Sequence, residues 1–187
     1  MNSEKKAFRQ AQIARLQAAA KETQAAAATL LAKLVAMPEW QQAHTIGVTI
    51  SNGFEVPTAP VIQAAQQAGK QVLIPRCQPH RQLAFLPDPG PAGRIKSTFG
   101  IPEPPYVPER VNNQPDLMLV PGIAYALDTH YRLGFGGGYY DRFLAHYPGH
   151  TVTLAAPAMA YPTAAWPVEA FDVRIQTLIT TDSDGAI

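Results

Sequence analysis

The sequence predicts an α/β protein with a mostly parallel sheet covered on both faces. From about residue 44 onward, short apolar runs alternate with helical segments, and Gly, Pro and Asn separate them. Strands separated by helices are the pattern of βαβ units, whose crossovers cover the sheet. The chain has 187 residues, 47% of them hydrophobic, which suffices for one core and is short for two. We therefore expect a single domain over residues 1–187, with a helical segment at about 4–37 and an α/β body at about 44–181.

Residues 4–37 are rich in Ala, Leu, Lys and Gln, all good helix formers. Phe8, Ile13 and Leu16, then Leu30, Leu31, Leu34 and Val35, give a helical stripe. A break near Lys21–Thr23 would make two helices, and Pro38 would end the segment. Residues 44–50 form a β-branched run that stops at Ser51-Asn52-Gly53, a turn signal. Residues 57–68 read as a helix, with Pro near the start and Gly69 after the end. Strands follow at 71–75, 83–86 and 117–121, a helix at 139–147, and strands at 151–156 and 177–180. Residues 87–115 are dense in Pro and Gly and predict a long irregular connection. Within it, residues 101–108 suit polyproline II, either as a rigid loop closing over the domain or as a ligand for a partner of the SH3 type.

The formal net charge of +1 gives no long-range field toward nucleic acid or an anionic membrane. No run of eighteen apolar residues is present, and Arg9, Gln10, Gln12 and Arg15 interrupt any signal-peptide core. Cys77 is the single cysteine, so no internal disulfide or C-x-x-C pair exists. These features predict a cytoplasmic protein with no nucleic-acid or membrane partner. His44, His80, His130, His146 and His150 lack metal-ligand spacing, and Cys77 suits a small, partly buried residue better than a nucleophile.

The chemistry concentrates in Arg132-Leu133-Gly134-Phe135-Gly136-Gly137-Gly138-Tyr139-Tyr140-Asp141-Arg142, a glycine cluster that leads into a helix. Glycines there let backbone approach a ligand closely, and a helix start supplies free N–H groups that bind phosphate. Arg132 and Arg142 could pair with phosphate oxygens. Asp141 could give magnesium one carboxylate, with phosphates and water completing the shell. The pattern is neither a Walker A loop nor a Rossmann fingerprint. On spacing alone, a phosphate loop and a simple tight turn both remain open, and the helix dipole favours Asp141 with or without a metal.

The stretch Arg132-Leu133-Gly134-x-Gly136-x-Gly138-Tyr139-Tyr140-Asp141 resembles the signature of the 5-formyltetrahydrofolate cyclo-ligase (methenyltetrahydrofolate synthetase) family. Lys5-x-x-x-Arg9 is similar to that family's N-terminal nucleotide-contacting pair, and residues 51–55 to its first substrate loop. Ile74-Pro75-Arg76, Ile101-Pro102-Glu103-Pro104, and Pro167-Val168-Glu169 with Asp172 and Thr180 match further segments. The resemblance implies a three-layer α/β/α fold of the ribose-phosphate isomerase and CoA-transferase class. It implies ATP-dependent cyclisation of 5-formyltetrahydrofolate, with or without a polyglutamate tail. Lys5, Arg9, Arg132, Leu133, Gly134, Phe135, Gly136, Gly137, Gly138, Tyr139 and Tyr140 would contact ATP. Ile50, Glu55, Phe99 and Phe135 to Tyr139 would line the folate site. Asp141 and Asp172 would bind Mg²⁺, and Arg132, Tyr139 and Asp141 would serve the chemistry. One of Tyr139 and Tyr140 would pack inward and the other meet the ligand. The residues alone make Glu55 a solvated loop acid; for Arg132 the alternative to phosphate binding is a surface arginine paired with Asp128 or Asp141.

Two positions depart from the family pattern. Gly137 stands where a Lys is frequent, and Gln176 where some members carry an acid. These departures leave room for a binder without turnover. A sugar-phosphate isomerase on a related fold would need a proton-transfer base beside the phosphate loop, and none is identifiable.

Overall fold

The computed structural model describes residues 3–182. The N-terminal segment is two helices, α1 (Ser3–Ala18) and α2 (Ala20–Ala36), followed by α3 (Pro38–Gln42). The break falls at Ala19, slightly before the expected place. Hydrogen bonds from Ala19 N–H to Arg15 and from Thr23 N–H to Ala19 carry the chain through it. α2 stops at Ala36 and Met37 is extended, as expected ahead of Pro38, which then opens the short α3, where its missing N–H costs no hydrogen bond.

The body then runs β1 (Thr45–Gly47), α4 (Ala59–Gln67), β2 (Gln71–Gln78), β3 (Gln82–Pro87), β4 (Ile95–Lys96), β5 (Pro102–Glu103), β6 (Leu117–Leu119), β7 (Ala124–Ala126), β8 (Arg132–Leu133), α5 (Tyr139–Leu144), β9 (His150–Ala155), β10 (Ala160–Tyr161) and β11 (Thr177–Thr180). Six strands form the main sheet in the order β11-β9-β6-β1-β2-β3. The first five are parallel, with Ile46 opposite both Val72 and Leu117, and Leu154 opposite Ile179. β3 departs from the βαβ expectation. It returns antiparallel along β2, pairing Leu86 with Ile74, because only Pro79–Arg81 separates the two strands. His80 and Arg81 in that turn take φ values of 59° and 58°. β7, β8 and β10 form a small second sheet that the sequence reading did not anticipate.

Strand alternation divides the core in two. Val72, Ile74, Leu117 and Leu119 face α1 to α4 and join the larger cluster with Leu16, Leu30, Leu34 and Trp40. Leu73, Met118 and Val120 face the other way and pack with Leu144 and Phe143 of α5. The layers are therefore α/β/α, but lopsided: four helices lie on one face, and one short helix with loops on the other. α5 ends at Leu144, earlier than expected. The proline-rich connection is pinned to the body by the β4–β5 pairing and by a 2.9 Å hydrogen bond from Arg76 Nη1 to the Pro104 carbonyl. Among the described residues, no helix is long and apolar enough to cross a membrane.

Candidate functional site

The strand order predicts where a ligand can sit. From β1 the chain proceeds to β2 on one side, then returns to β6 on the other, so β1 and β6 flank a topological switch point. In open α/β sheets the crevice lies there, beyond the carboxyl ends of the strands. A cleft of about 1530 Å³ opens at that position, with Ile50 after β1, Pro121 after β6 and Cys77 near the end of β2 in its walls. Single small-ligand sites are usually about 300–1,000 Å³, so this one has room for two.

The glycine loop forms one wall. Gly136 and Gly138 have φ values of 99° and 69°, the left-handed region open to glycine, and Gly138 is the residue before α5. Gly134 has another reason to be glycine. A Cβ there would lie 2.7 Å from Arg132 Nη1. At Gly137, a Cβ would lie 2.8 Å from the Tyr139 ring, so in this chain the Tyr139 side chain occupies the space a lysine stem would need.

Two arginines converge on the loop. Arg9 reaches from α1 and donates from Nε to the Gly134 carbonyl at 2.9 Å. Burial pulls its pKa down, while Asp172, Glu169 and Asp141 pull it up. Arg132, on β8, is only 5% exposed, which rules out the surface alternative, and its Nη2 donates to Asp141 Oδ1 at 2.9 Å. Arg9 Nη1, Arg132 Nε and the Tyr140 hydroxyl are buried without a protein partner. Buried polar groups are rarely left unpaired, so three around one cleft mark where a polar ligand would complete them. Burial also raises the pKa of the Tyr140 hydroxyl strongly, which keeps it a neutral donor.

Lys5 is buried, and its ammonium pairs with Asp172 at 2.6 Å and Glu169 at 3.0 Å. Asp172 Oδ2 also accepts the Glu169 N–H at 2.9 Å. Asp141 carries its hydrogen bonds on Oδ1, including a 3.5 Å contact from Val173 N–H. No group of three His, Cys, Asp or Glu residues able to hold a metal occurs among the described residues. One or two carboxylates still suit magnesium that arrives with phosphates and water, and Asp141, its side chain 21% exposed against 6% for Asp172, is the more accessible of the pair.

Glu55 is 9% exposed rather than a solvated loop acid. It accepts the Asn52 N–H at 2.6 Å, and burial raises its pKa against that bond. Phe99 and Phe135 are exposed aromatics on the cleft, 61% and 45%; Phe99 meets Tyr139 edge-on at 6.2 Å. Tyr139 and Tyr140 both line the cleft and both pack on the second core cluster, so neither is wholly inward. Leu133 points into the core, leaving only its backbone near the loop. Cys77 is pushed up to about 11 by burial and by Glu103, which removes it as a nucleophile at neutral pH. Sequence reasoning gave no role to Glu169, Phe171 or Glu103, all in the cleft wall. A single loop acid or aromatic carries no periodic signal that could have singled them out.

A parallel sheet whose switch point opens on a glycine loop, two guanidinium groups and an acid defines an α/β protein suited to a phosphate-bearing ligand. The model of the 5-formyltetrahydrofolate cyclo-ligase family matches residues 1–181, and the chain belongs to that family. It is 29% identical over 155 residues to the 5-formyltetrahydrofolate cyclo-ligase of Escherichia coli K12, covering 79% of this chain and 84% of that one. It is 31% identical over 150 residues to the Haemophilus influenzae protein of the same name, covering 73% and 78%. The NMR structure of Aquifex aeolicus 5,10-methenyltetrahydrofolate synthetase superposes with a TM-score of 0.80 at 27% identity, over 98% of this chain and 95% of that one.

Proposed function

We propose that this protein closes 5-formyltetrahydrofolate to 5,10-methenyltetrahydrofolate at the expense of ATP, releasing ADP and phosphate. The observation that carries the reading is the set of unpartnered buried donors, Arg9 Nη1, Arg132 Nε and Tyr140 Oη, around the glycine loop of a two-ligand cleft.

The formyl oxygen on N5 is a poor leaving group. Transfer of the γ-phosphoryl group onto it makes it a phosphate ester. The N10 lone pair then attacks the formyl carbon, the C–O bond breaks, phosphate leaves with its electron pair and N10 gives up its proton. Phosphoryl transfer asks the protein for position and charge neutralisation rather than covalent chemistry. Arg9 and Arg132 supply two fixed cations, and Gly136 and Gly138 let the backbone come close to the phosphates. Asp141, with Asp172 beside it, would hold Mg²⁺, which supplies charge neutralisation on the phosphates when bound. Glu55, Ile50, Phe99 and Phe135 take the folate, and Lys5 orders Asp172 and Glu169 at the nucleotide end. No serine or cysteine nucleophile is needed.

The test is near-ultraviolet absorbance of the methenyl product, with purified protein and 5-formyltetrahydrofolate. A rise that requires both ATP and magnesium is expected. A flat trace from folded protein would leave a ligand-binding relative that lacks turnover.

A further inference from the structure

Of the acids in the cleft wall, Asp141, Glu169 and Asp172 sit with Lys5 and Arg132 and pair with them, whereas Glu103 lies beside Cys77 on another part of the wall. Glu103 lies on β5 and is 5% exposed. Its Oε1 accepts the Cys77 N–H at a long 3.2 Å, and its other donor is the weak Cys77 thiol. It takes part in none of the ion pairs among the described residues. Arg76, on the adjacent strand, gives its Nη1 proton to the Pro104 carbonyl instead. A carboxylate taken out of water needs compensation, and one long amide bond with one weak thiol donor is little. Glu103 is also in the cleft wall, so a ligand can reach it.

The ribbon that carries Glu103 adds a second observation. β4 and β5 pair Ile95 with Glu103, and the turn between them is closed by Ser97 N–H to Ile101 and Gly100 N–H to Ser97, both 2.9 Å. Phe99 sits in that turn, 61% exposed, with its ring edge-on to Tyr139. One short ribbon therefore brings an open aromatic ring and a buried, under-bonded acceptor to the same part of the cleft. A flat heterocycle with N–H donors on its edge satisfies both.

We infer that Glu103 binds the folate directly, its carboxylate accepting N–H donors of the reduced pterin ring while Phe99 covers the ring. This rests on the reading of the cleft as a folate site and adds to it a residue that sets affinity for the heterocycle. The acid also contributes to orientation. It fixes the pterin on the β4–β5 ribbon, which leaves the glycine loop to the phosphates and the formyl group between the two ligands.

The experiment is calorimetric binding of 5-formyltetrahydrofolate without ATP, and of ATP without folate, to the wild type and to Glu103→Gln, with melting temperatures of the ligand-free proteins. The amide keeps an acceptor for the Cys77 N–H and loses the charge. Folate affinity should fall by about tenfold or more, the scale of a hydrogen bond to a charged group. ATP affinity should hold, and the ligand-free melting temperature should hold or rise, because an under-compensated buried charge has been removed. Unchanged folate affinity would overturn the inference. So would a lower melting temperature with loss of both ligands, which would make Glu103 structural. Wild-type protein that binds folate yet forms no methenyl product would refute the turnover reading alone. Wild-type protein that binds no folate would refute both.

Discussion

Asp141→Asn separates the structural and the nucleotide-handling roles of one carboxylate. Asp141 Oδ1 and Arg132 Nη2 are 2.9 Å apart, with the two side chains 21% and 3% exposed. At an effective dielectric of about 20, that separation gives a gross attraction of roughly 6 kcal/mol. Desolvation takes back much of it, and removing one partner of a buried pair costs about 3–5 kcal/mol. Asp141 is partly open to solvent, and Asn retains an acceptor for Nη2, so a net loss of about 2–3 kcal/mol is expected. For a chain of 187 residues this lowers the melting temperature by about 4–12 °C. The assay is thermal unfolding of the ligand-free protein, followed by initial rates across a magnesium titration. The rate should fall, and its magnesium dependence should flatten. The pairing argument is checked by repeating the substitution in an Arg132→Met background, where the stability loss should largely disappear. An equal loss in both backgrounds would refute the pairing. Unchanged rate and metal response would remove Asp141 from the mechanism.

Gly134→Ala tests the close approach between the loop and Arg132. The new Cβ would meet Arg132 Nη1 at 2.7 Å and push the guanidinium from its place, with no change in charge. Loss of one preorganised donor lowers kcat by about 10²–10³-fold, so kcat with ATP should drop on that scale at a modest cost in stability. An unchanged kcat would mean that the placement of Arg132 is immaterial. Glu55→Gln tests the buried acid through pH. The folded-state pKa is raised by burial, so the native protein holds this proton more tightly than the unfolded chain. Stability is therefore lost as pH climbs from the ordinary carboxyl value through the raised one, and remains reduced above it. The variant should lack that decline, melt higher than the wild type at neutral pH and bind folate more weakly. Parallel melting curves of the two proteins across this pH range would refute the assignment.

The sheet was legible because its strands carry their own signal. Leu117 to Val120 is apolar on both faces, as a strand buried between two layers must be, and structure sends Leu117 and Leu119 one way and Met118 and Val120 the other. The antiparallel return of β3 was not legible from propensity, because a strand looks the same in either direction; only the short Pro79–Arg81 link distinguishes a hairpin from a crossover. β7, β8 and β10 were missed because two- and three-residue strands are too short for periodicity. The glycine loop was readable as a candidate, but spacing alone left a tight turn equally open, and only the resemblance of residues 132–141 to the family signature decided between them. Glu169, Phe171 and Glu103 share the cleft with the loop but come from segments distant in sequence, and only the tertiary fold brings them there.

α1 shows why the proposed nucleotide end of the cleft was half hidden. The apolar stripe of Phe8, Ile13 and Leu16 finds the face that packs on the larger cluster. Yet Lys5 and Gln12 are more deeply buried than Phe8 or Ile13, at 3% and 2% exposure. Together with Arg9 and Leu16 they fall at i, i+4, i+7 and i+11, one helical face. A polar stripe at helical spacing ordinarily means a solvated face. Here each member has a tertiary partner: Lys5 on Asp172 and Glu169, Arg9 on Gly134, and Gln12 on the carbonyls of Ile123 and Ala158 at 2.7 and 2.9 Å. The helix is thus docked by hydrogen bonds and ion pairs as much as by apolar contact. Burying those groups costs desolvation that a leucine face would not incur, and Arg9 Nη1 still lacks a protein partner. A face built only for stability would be apolar. The polar one places cations at the mouth of a cleft, where the remaining unpaired donor can be completed by a phosphate.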